Sequence, residues 1–165
     1  MPRRYVLLNK GTKTNELSKV MIKKREFLLA LTGVLFFGSS MITKAEETIR
    51  VACVGDSITF GAGVKDAKNR YPARLGELLG KGYEVKNFGV SGATMLDAGN
   101  NPYKKTKAYA QALEFKPDIV VIKLGTNDSK APNWAKKDAF AGDTESLVTS
   151  FQTANPKVKV YLCYP

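Results

Sequence analysis

The sequence is poor in the residues from which metal sites and disulfide frameworks are built. Its 165 residues include no histidine, one tryptophan and two cysteines, Cys53 and Cys163. Without a cluster of histidines and cysteines the chain has no ligand set for zinc, and nothing in it implies a metal ion or an organic cofactor. A bridge between two strands across the pleat is geometrically awkward, so we expect two thiols, although an exported protein could form a disulfide.

Glycine-rich motifs of nucleotide-binding proteins and of one large hydrolase class are also missing. The sequence contains no Walker motif ending in Gly-Lys-Ser or Gly-Lys-Thr, and its glycine-rich turns do not complete G-x-G-x-x-G. It also lacks G-x-S-x-G, the nucleophile elbow of α/β-hydrolases. These absences argue against a phosphate-binding loop, a dinucleotide site and the α/β-hydrolase fold.

The excess of positive charge is concentrated near the N-terminus. The formal net charge is +11, and residues 1–45, with 9 Lys or Arg and 2 Asp or Glu, contribute +7 of it. Residues 46–165, with 17 and 13 such residues, contribute +4, and their basic residues lack the aromatic interleaving that suits base stacking. We therefore expect a solvated, mildly basic surface and no nucleic-acid partner.

The N-terminal segment is typical of a secretory signal peptide. Basic residues at 23–25 precede an apolar run at 27–37, after which a Thr-Lys-Ala sequence leads to an acidic pair. The run is shorter than the roughly 20 residues that a membrane span needs, although an uncleaved anchor or a buried helix remains an alternative. We predict a signal peptide over 21–45, a secreted or periplasmic protein without stable membrane insertion, and an upstream extension over 1–20 before a natural start at Met21.

The rest of the chain alternates between strand-like and helix-like segments. Apolar β-branched runs predict strands, and helical spacing of apolar residues predicts helices. The predicted strands are 48–54, 83–88, 118–124 and 157–163, and the predicted helices are 72–79, 103–115 and 138–154, with a short helical turn at 93–98. This alternation predicts one α/β domain over 46–165, with a parallel sheet covered by helices on both faces.

Three predicted strands end in glycine-rich polar loops, at 55–63, 89–94 and 125–128. Loops that follow parallel strands meet at the carboxyl edge of the sheet, where such folds place their active sites. There Ser57 could attack a carbonyl, and an oxyanion could be stabilised by the backbone N–H groups of Ser57 and Gly92 and by the side-chain amide of Asn127. Taken singly, a helix-cap serine, a turn glycine and a loop asparagine are the commoner interpretations, and it is their position after successive strands that favours the catalytic one.

The same loops resemble the SGNH, or GDSL, hydrolase family. Residues 54–61 (VGDSITFG), 87–94 (NFGVSGAT) and 124–128 (LGTND) are similar to its first three blocks, in order. The resemblance implies a flavodoxin-like three-layer α/β/α fold with a parallel sheet, and ester hydrolysis through an acyl-serine intermediate. It implies that Ser57 is the nucleophile and that Gly92 and Asn127 form the oxyanion hole, with Gly89 a poorer match than Gly92.

Finer features point to a subclass. The sequence around residues 71–72 and 127–134 is similar to that of bacterial carbohydrate acetylesterases, including sialate O-acetylesterases. O-acetyl groups on carbohydrates are therefore the expected substrate, a small-molecule or glycan ester. Trp134 either lines the substrate cleft or packs within a loop. The alternatives are a non-catalytic glycan- or acyl-binding module, and a thioesterase or lysophospholipase with the same mechanism.

One block of the family has no counterpart here. The family's last block is Asp-x-x-His, whose histidine takes the serine proton, and this sequence has no histidine and ends at Pro165. Loss of the base lowers the rate by several orders of magnitude, so we expect this chain to be inactive alone. We interpret it as a C-terminal truncation, from a premature stop, a frameshift or an incomplete gene model, that removes the last strand and helix. The exposed edge of the fourth strand then predicts poor solubility.

Overall fold

The computed structural model describes residues 6–7 and 47–165. The predicted signal peptide at 21–45 lies outside the described residues, as does all of the predicted upstream extension except residues 6–7. In the part of the chain that is described, no helix combines the length and hydropathy needed to cross a membrane.

A single sheet forms the centre of the fold, and its four parallel strands confirm the predicted α/β architecture. The strands are β1 (Val6–Leu7), β2 (Ile49–Gly55), β3 (Tyr83–Gly89), β4 (Ile119–Lys123) and β5 (Lys159–Leu162). Their order is β1-β5-β4-β2-β3, and the strands β2 to β5 are parallel to one another. The β-branched and apolar side chains of the strands fit a pleated surface, which is most completely buried along the central strand β2.

The outer edge of β5 differs from the sequence-based expectation. The sequence predicts an open edge, whereas β1 pairs with β5 in the antiparallel direction, with Val6 opposite Leu162 and Leu7 opposite Tyr161. A two-residue strand from a distant part of the chain carries no periodicity that could be read in advance, and for this reason the sequence does not predict it.

Within the described residues, five α-helices surround the sheet. They are α1 (Ser57–Phe60), α2 (Tyr71–Leu79), α3 (Lys107–Glu114), α4 (Ala131–Trp134) and α5 (Phe140–Ala154), with 3₁₀ turns at Ala67–Asn69, Tyr103–Lys105 and Lys137–Ala139. The helix predicted at 103–115 is divided at Thr106, whose hydroxyl accepts a hydrogen bond from the Tyr109 N–H at 3.2 Å. Because such a side-chain bond satisfies an otherwise unpaired N–H, α3 begins after Thr106.

The core lies between the sheet and the pair α3 and α5. Alternate residues of β2 and β4 point to this face, and they join side chains of the two helices in one buried cluster that includes Val54, Ile122, Ala112, Leu147 and Phe151. Burial of each large side chain contributes roughly 1.5–3 kcal/mol. Helix α2 contacts β3, beside Val85, on the opposite face. This packing holds the carboxyl ends of β2, β3 and β4 rigidly side by side.

Candidate active site

The three glycine-rich loops lie next to one another at the carboxyl edge of the sheet. Gly55, the last residue of β2, is opposite both Gly89 in β3 and Lys123 in β4. The three strands therefore end at one level. The Val90 N–H donates to the Gly55 carbonyl at 2.9 Å, which ties the first loop to the second.

The first loop turns directly into helix α1, which begins at Ser57. Asp56 is the N-cap of this helix, and its Oδ1 atom accepts a hydrogen bond from the Ile58 N–H at 2.9 Å. Ser57 is thus the first helical residue and not the cap. It is half-buried, and neither its N–H nor its hydroxyl is hydrogen-bonded to any described residue. An N–H group in the first helical turn has no partner within the helix, so this donor is available to a ligand.

Two glycines allow α1 to lie directly on the strand ends. A Cβ atom on Gly89 would stand 2.2 Å from the Phe60 nitrogen, and one on Gly55 would stand 2.0 Å from the Thr59 hydroxyl oxygen. Asn87 strengthens this contact, because its Nδ2 donates to the Thr59 carbonyl at 2.8 Å and its Oδ1 accepts the Gly89 N–H at 2.9 Å. Gly89 therefore serves close packing, and its N–H is already engaged.

Gly92, in the second loop, differs from Gly89 in the space around its Cβ position and in the hydrogen bonding of its N–H. Its φ angle is +79°, a conformation that costs an L-residue with a side chain about 1–2 kcal/mol. A Cβ atom there would meet only the Asn101 Nδ2, at an ordinary 3.7 Å. The Gly92 N–H makes no hydrogen bond to the described residues. Glycine is thus required here by backbone conformation, and the N–H of Gly92, unlike that of Gly89, is available to a ligand.

Asn127, in the third loop, is held from several sides. Its side chain is almost fully buried, with 6% of the residue exposed. Its Nδ2 donates to the Ala93 carbonyl at 3.0 Å, which ties the third loop to the second, and its Oδ1 accepts from the Lys130 Nζ at 2.8 Å. A side-chain amide carries two N–H donors, so one hydrogen on Nδ2 remains for a ligand.

Asp128 explains why the segment at 93–98 is not the helical turn that the sequence predicts. Its fully buried carboxylate accepts the Met95 N–H at 2.9 Å and the Leu96 N–H at 2.8 Å. Each bond to an ionised acceptor is stronger than a neutral one, and the pair replaces the bonds that a helix would supply. The segment 93–98 instead forms turns, and Thr94 makes an isolated bridge with Pro102.

Sequence reasoning missed Asn133, a second buried anchor of the third loop. Its Nδ2 donates to the Asn127 carbonyl at 2.9 Å, and its Oδ1 accepts the Asn100 N–H at 2.9 Å. Asn133 is 2% exposed although it belongs to a strongly polar stretch. Nothing in that stretch distinguishes a buried amide from a solvated one, because the partner that buries it is far away in sequence.

The layer beneath the first loop contains groups that stay protonated. Burial raises the pKa of the Cys53 thiol to about 11, which a hydrogen bond with Tyr71 only partly offsets. Burial likewise raises the pKa of Tyr71, whose hydroxyl lies 3.3 Å from the Thr59 hydroxyl. Because only a thiolate is a good nucleophile, Cys53 is a poor nucleophile near neutral pH. No disulfide joins Cys53 and Cys163, as the sequence predicts.

An apolar cavity of about 250 Å³ lies at the carboxyl ends of β4 and β5, lined in part by Met95, Leu124 and Phe140. Trp134 is 45% exposed and packs edge-on against the Phe140 ring, with 6.3 Å between ring centroids. Trp134 is therefore partly exposed beside this cavity, and it packs against Phe140, one of the residues that line it.

Comparisons with known proteins identify the family and the fold of this chain. The sequence model of the GDSL-like lipase/acylhydrolase family matches residues 53–165. An acetylxylan esterase of Xylanibacter ruminicola is 54% identical over 108 residues, which cover 65% of this chain and 22% of that protein. The chain therefore spans about a fifth of that relative's length.

Solved structures with the same fold include two forms of an aryl esterase of M. smegmatis. The inhibitor-bound form has a TM-score of 0.54 and 26% identity over 67% of this chain and 58% of that one. The native form has a TM-score of 0.53 and 28% identity over the same shares of the two chains. This chain thus corresponds to somewhat more than half of that enzyme.

Proposed function

This chain belongs to the GDSL-like lipase/acylhydrolase family, and we propose that it carries the nucleophile and the oxyanion hole of a serine esterase. One observation carries the proposal. At adjacent strand ends the chain presents a hydroxyl on Ser57, unengaged N–H groups on Ser57 and Gly92, and a buried amide on Asn127. These are the groups that acyl transfer requires at one point.

The proposed reaction has two halves. The Ser57 oxygen attacks the ester carbonyl while its proton passes to a base, and collapse of the tetrahedral intermediate releases the alcohol, which takes up that proton. Water then attacks the acyl-serine in the same way, releasing the carboxylic acid and restoring Ser57. The N–H groups of Ser57 and Gly92 and the Asn127 amide stabilise the oxyanion in both halves, and loss of one such donor typically costs 10²–10³-fold in rate, or about 3 kcal/mol.

The base is the part of the machinery that these 165 residues do not supply. They contain no histidine. Asp128 binds two backbone N–H groups, and Asp56 caps α1 through Oδ1, while its buried Oδ2 has no partner among the described residues. We therefore propose that the chain by itself hydrolyses esters very slowly, and that its oxyanion hole is nevertheless complete.

We propose O-acetyl groups on carbohydrates as the substrate class. The relative from X. ruminicola, 54% identical over the matched residues, is named an acetylxylan esterase. Trp134, beside the third loop, is partly exposed. Its indole ring is apolar and carries one polar N–H, a combination suited to contact with a sugar ring.

The test supplies the missing base from solution. The 165-residue chain is incubated with p-nitrophenyl acetate and with acetylated xylan, with and without 2-methylimidazole, beside the Ser57→Ala variant. We expect ester cleavage that grows with the concentration of the added base and disappears, above the buffer background, in the variant. Equal rates in both proteins at every base concentration would refute the esterase proposal, and retained binding of acetylated xylan would then favour the non-catalytic module.

We also propose export from the cytoplasm, on the basis of the segment 21–45 described above. N-terminal sequencing of protein recovered from a secreting host is expected to begin at Glu46. Recovery of the intact N-terminus only from inside the cell would contradict it.

A further inference from the structure

We propose that Lys130 is a positioning residue that fixes the orientation of the Asn127 side-chain amide, so that Nδ2 and not Oδ1 faces the site of the oxyanion. The inference rests on the proposed role of Asn127 as an oxyanion donor. An amide has two orientations related by a half-turn, and only one of them places a donor in the site.

The contacts around the amide distinguish the two orientations. In the observed one, the Lys130 ammonium donates to Oδ1 at 2.8 Å and Nδ2 donates to the Ala93 carbonyl at 3.0 Å. After a half-turn, Nδ2 would face the ammonium and Oδ1 would face the Ala93 carbonyl, so that a donor meets a donor and an acceptor meets an acceptor. Lys130 is exposed, so its ammonium can be solvated, but the buried Asn127 Oδ1 facing the Ala93 carbonyl would have no compensating hydrogen bond.

The ammonium also changes the strength of the donor. A cation bound to the carbonyl oxygen of an amide draws electron density from the nitrogen, so the N–H groups of Nδ2 become stronger donors. Hydrogen bonds in which one partner is charged are about twice as strong as neutral ones. Lys130 therefore acts on the oxyanion through Asn127 and does not itself touch the substrate.

The backbone position of Lys130 is unusual for a lysine. Lys130 is the N-cap of α4, where Ser, Thr, Asp and Asn are preferred, and its side chain makes no capping bond. The Asn133 and Trp134 N–H groups bond to its carbonyl at 2.9 Å each, which fixes its backbone. From this position the side chain reaches back three residues to Asn127. A lysine at position 130 is therefore explained by its contact with the Asn127 amide and not by the needs of the helix.

The test compares Lys130→Met with Lys130→Arg and with Lys137→Met as the matched control. Lys137 is an exposed lysine a few residues further along, and its side chain has no hydrogen bond or ion pair with the described residues. The ¹⁵N-labelled 165-residue chain gives a pair of Nδ2 proton signals for Asn127, identified by their loss in Asn127→Asp. We expect Lys130→Met to shift both signals and to speed their exchange with water, and Lys130→Arg and Lys137→Met to leave them nearly in place.

Kinetics with added 2-methylimidazole supply the second readout. Lys130→Met is expected to lower kcat roughly ten-fold with little change in KM, less than the 10²–10³-fold loss of a whole donor, because the donor remains but is less well oriented. Unchanged Asn127 signals in Lys130→Met would overturn the inference whatever the activity. If instead the signals shift as expected while Asn127→Ala retains full activity, the positioning contact stands and the proposed role of Asn127 fails.

Discussion

The first and third loops hold their functional residues by different physical means. The loop at Ser57 is held by backbone contact, with α1 pressed onto the strand ends at Gly55 and Gly89. The loop at Asn127 is held by buried polar side chains, Asp128 and Asn133, that reach residues 95, 96 and 100. The proposed nucleophile, Ser57, is fixed through the backbone and depends on glycines that leave room for α1, whereas the proposed donor, Asn127, is fixed through side chains and depends on particular polar groups.

The largest effect is expected where an atom is added at the contact between α1 and the strand ends. Gly89→Ala places a Cβ atom 2.2 Å from the Phe60 nitrogen, and backbone cannot yield as the end of a side chain can. We expect a loss of about 3 kcal/mol or more in the free energy of unfolding, the upper range for overpacking. Urea denaturation followed by circular dichroism measures it.

Gly92→Ala is the matched control, since it adds the same methyl group three residues further on, where φ is +79° and the Cβ would meet only the Asn101 Nδ2, at 3.7 Å. It should cost only about 1–2 kcal/mol, the conformational strain alone. Equal losses of stability in the two variants would contradict the role assigned to the close packing of Gly89 against α1.

A somewhat smaller effect is expected where polar groups are removed from the third loop. Asp128→Ala leaves the Met95 and Leu96 N–H groups buried without an acceptor. Each unpaired N–H group lowers the free energy of unfolding by about 1–3 kcal/mol, and water that enters the site offsets part of this loss. We therefore expect the free energy of unfolding to fall by about 2–3 kcal/mol.

Amide hydrogen exchange at residues 93–98 should also quicken in Asp128→Ala, because Asp128 holds that segment. The exposed carboxylate of Asp138 offers the control, as Asp138→Ala removes the same charge from the surface. A stability change no larger than that of the control would contradict the assigned role of Asp128.

The smallest effect concerns the apolar layer under the first loop, and it depends on pH. The pKa of Cys53 is raised from 9.0 to about 11, so the folded state favours the protonated thiol. Its contribution is fully present below pH 9 and is lost as the pH rises from 9 through 11. We expect the wild-type chain to lose about 1 kcal/mol more than Cys53→Ala between pH 8 and pH 10. Parallel stability profiles for the two proteins over this range would rule out a buried, protonated Cys53.

Local pattern accounts for most of the fold. The four parallel strands lie where the sequence predicts them: β2 and β4 are apolar β-branched runs, and the segment of β3 alternates between apolar and polar residues. The segment at 93–98 shows the limit of this reasoning. Its residues suit a helical turn, but its N–H groups bond to Asp128, more than thirty residues away. A long-range acceptor of that kind leaves no trace in the local sequence.

The sequence by itself determined that Ser57, Gly92 and Asn127 follow successive strands, since parallel strands bring their carboxyl ends to one edge of the sheet. Only the tertiary structure decided which groups there are available to a ligand. It engages the N–H of Gly89 and leaves that of Gly92 without a partner among the described residues, and it binds Lys130 to the Asn127 oxygen. The reason is physical: the period of a strand is a local property of the chain, whereas the satisfaction of a polar group depends on partners that only folding brings near.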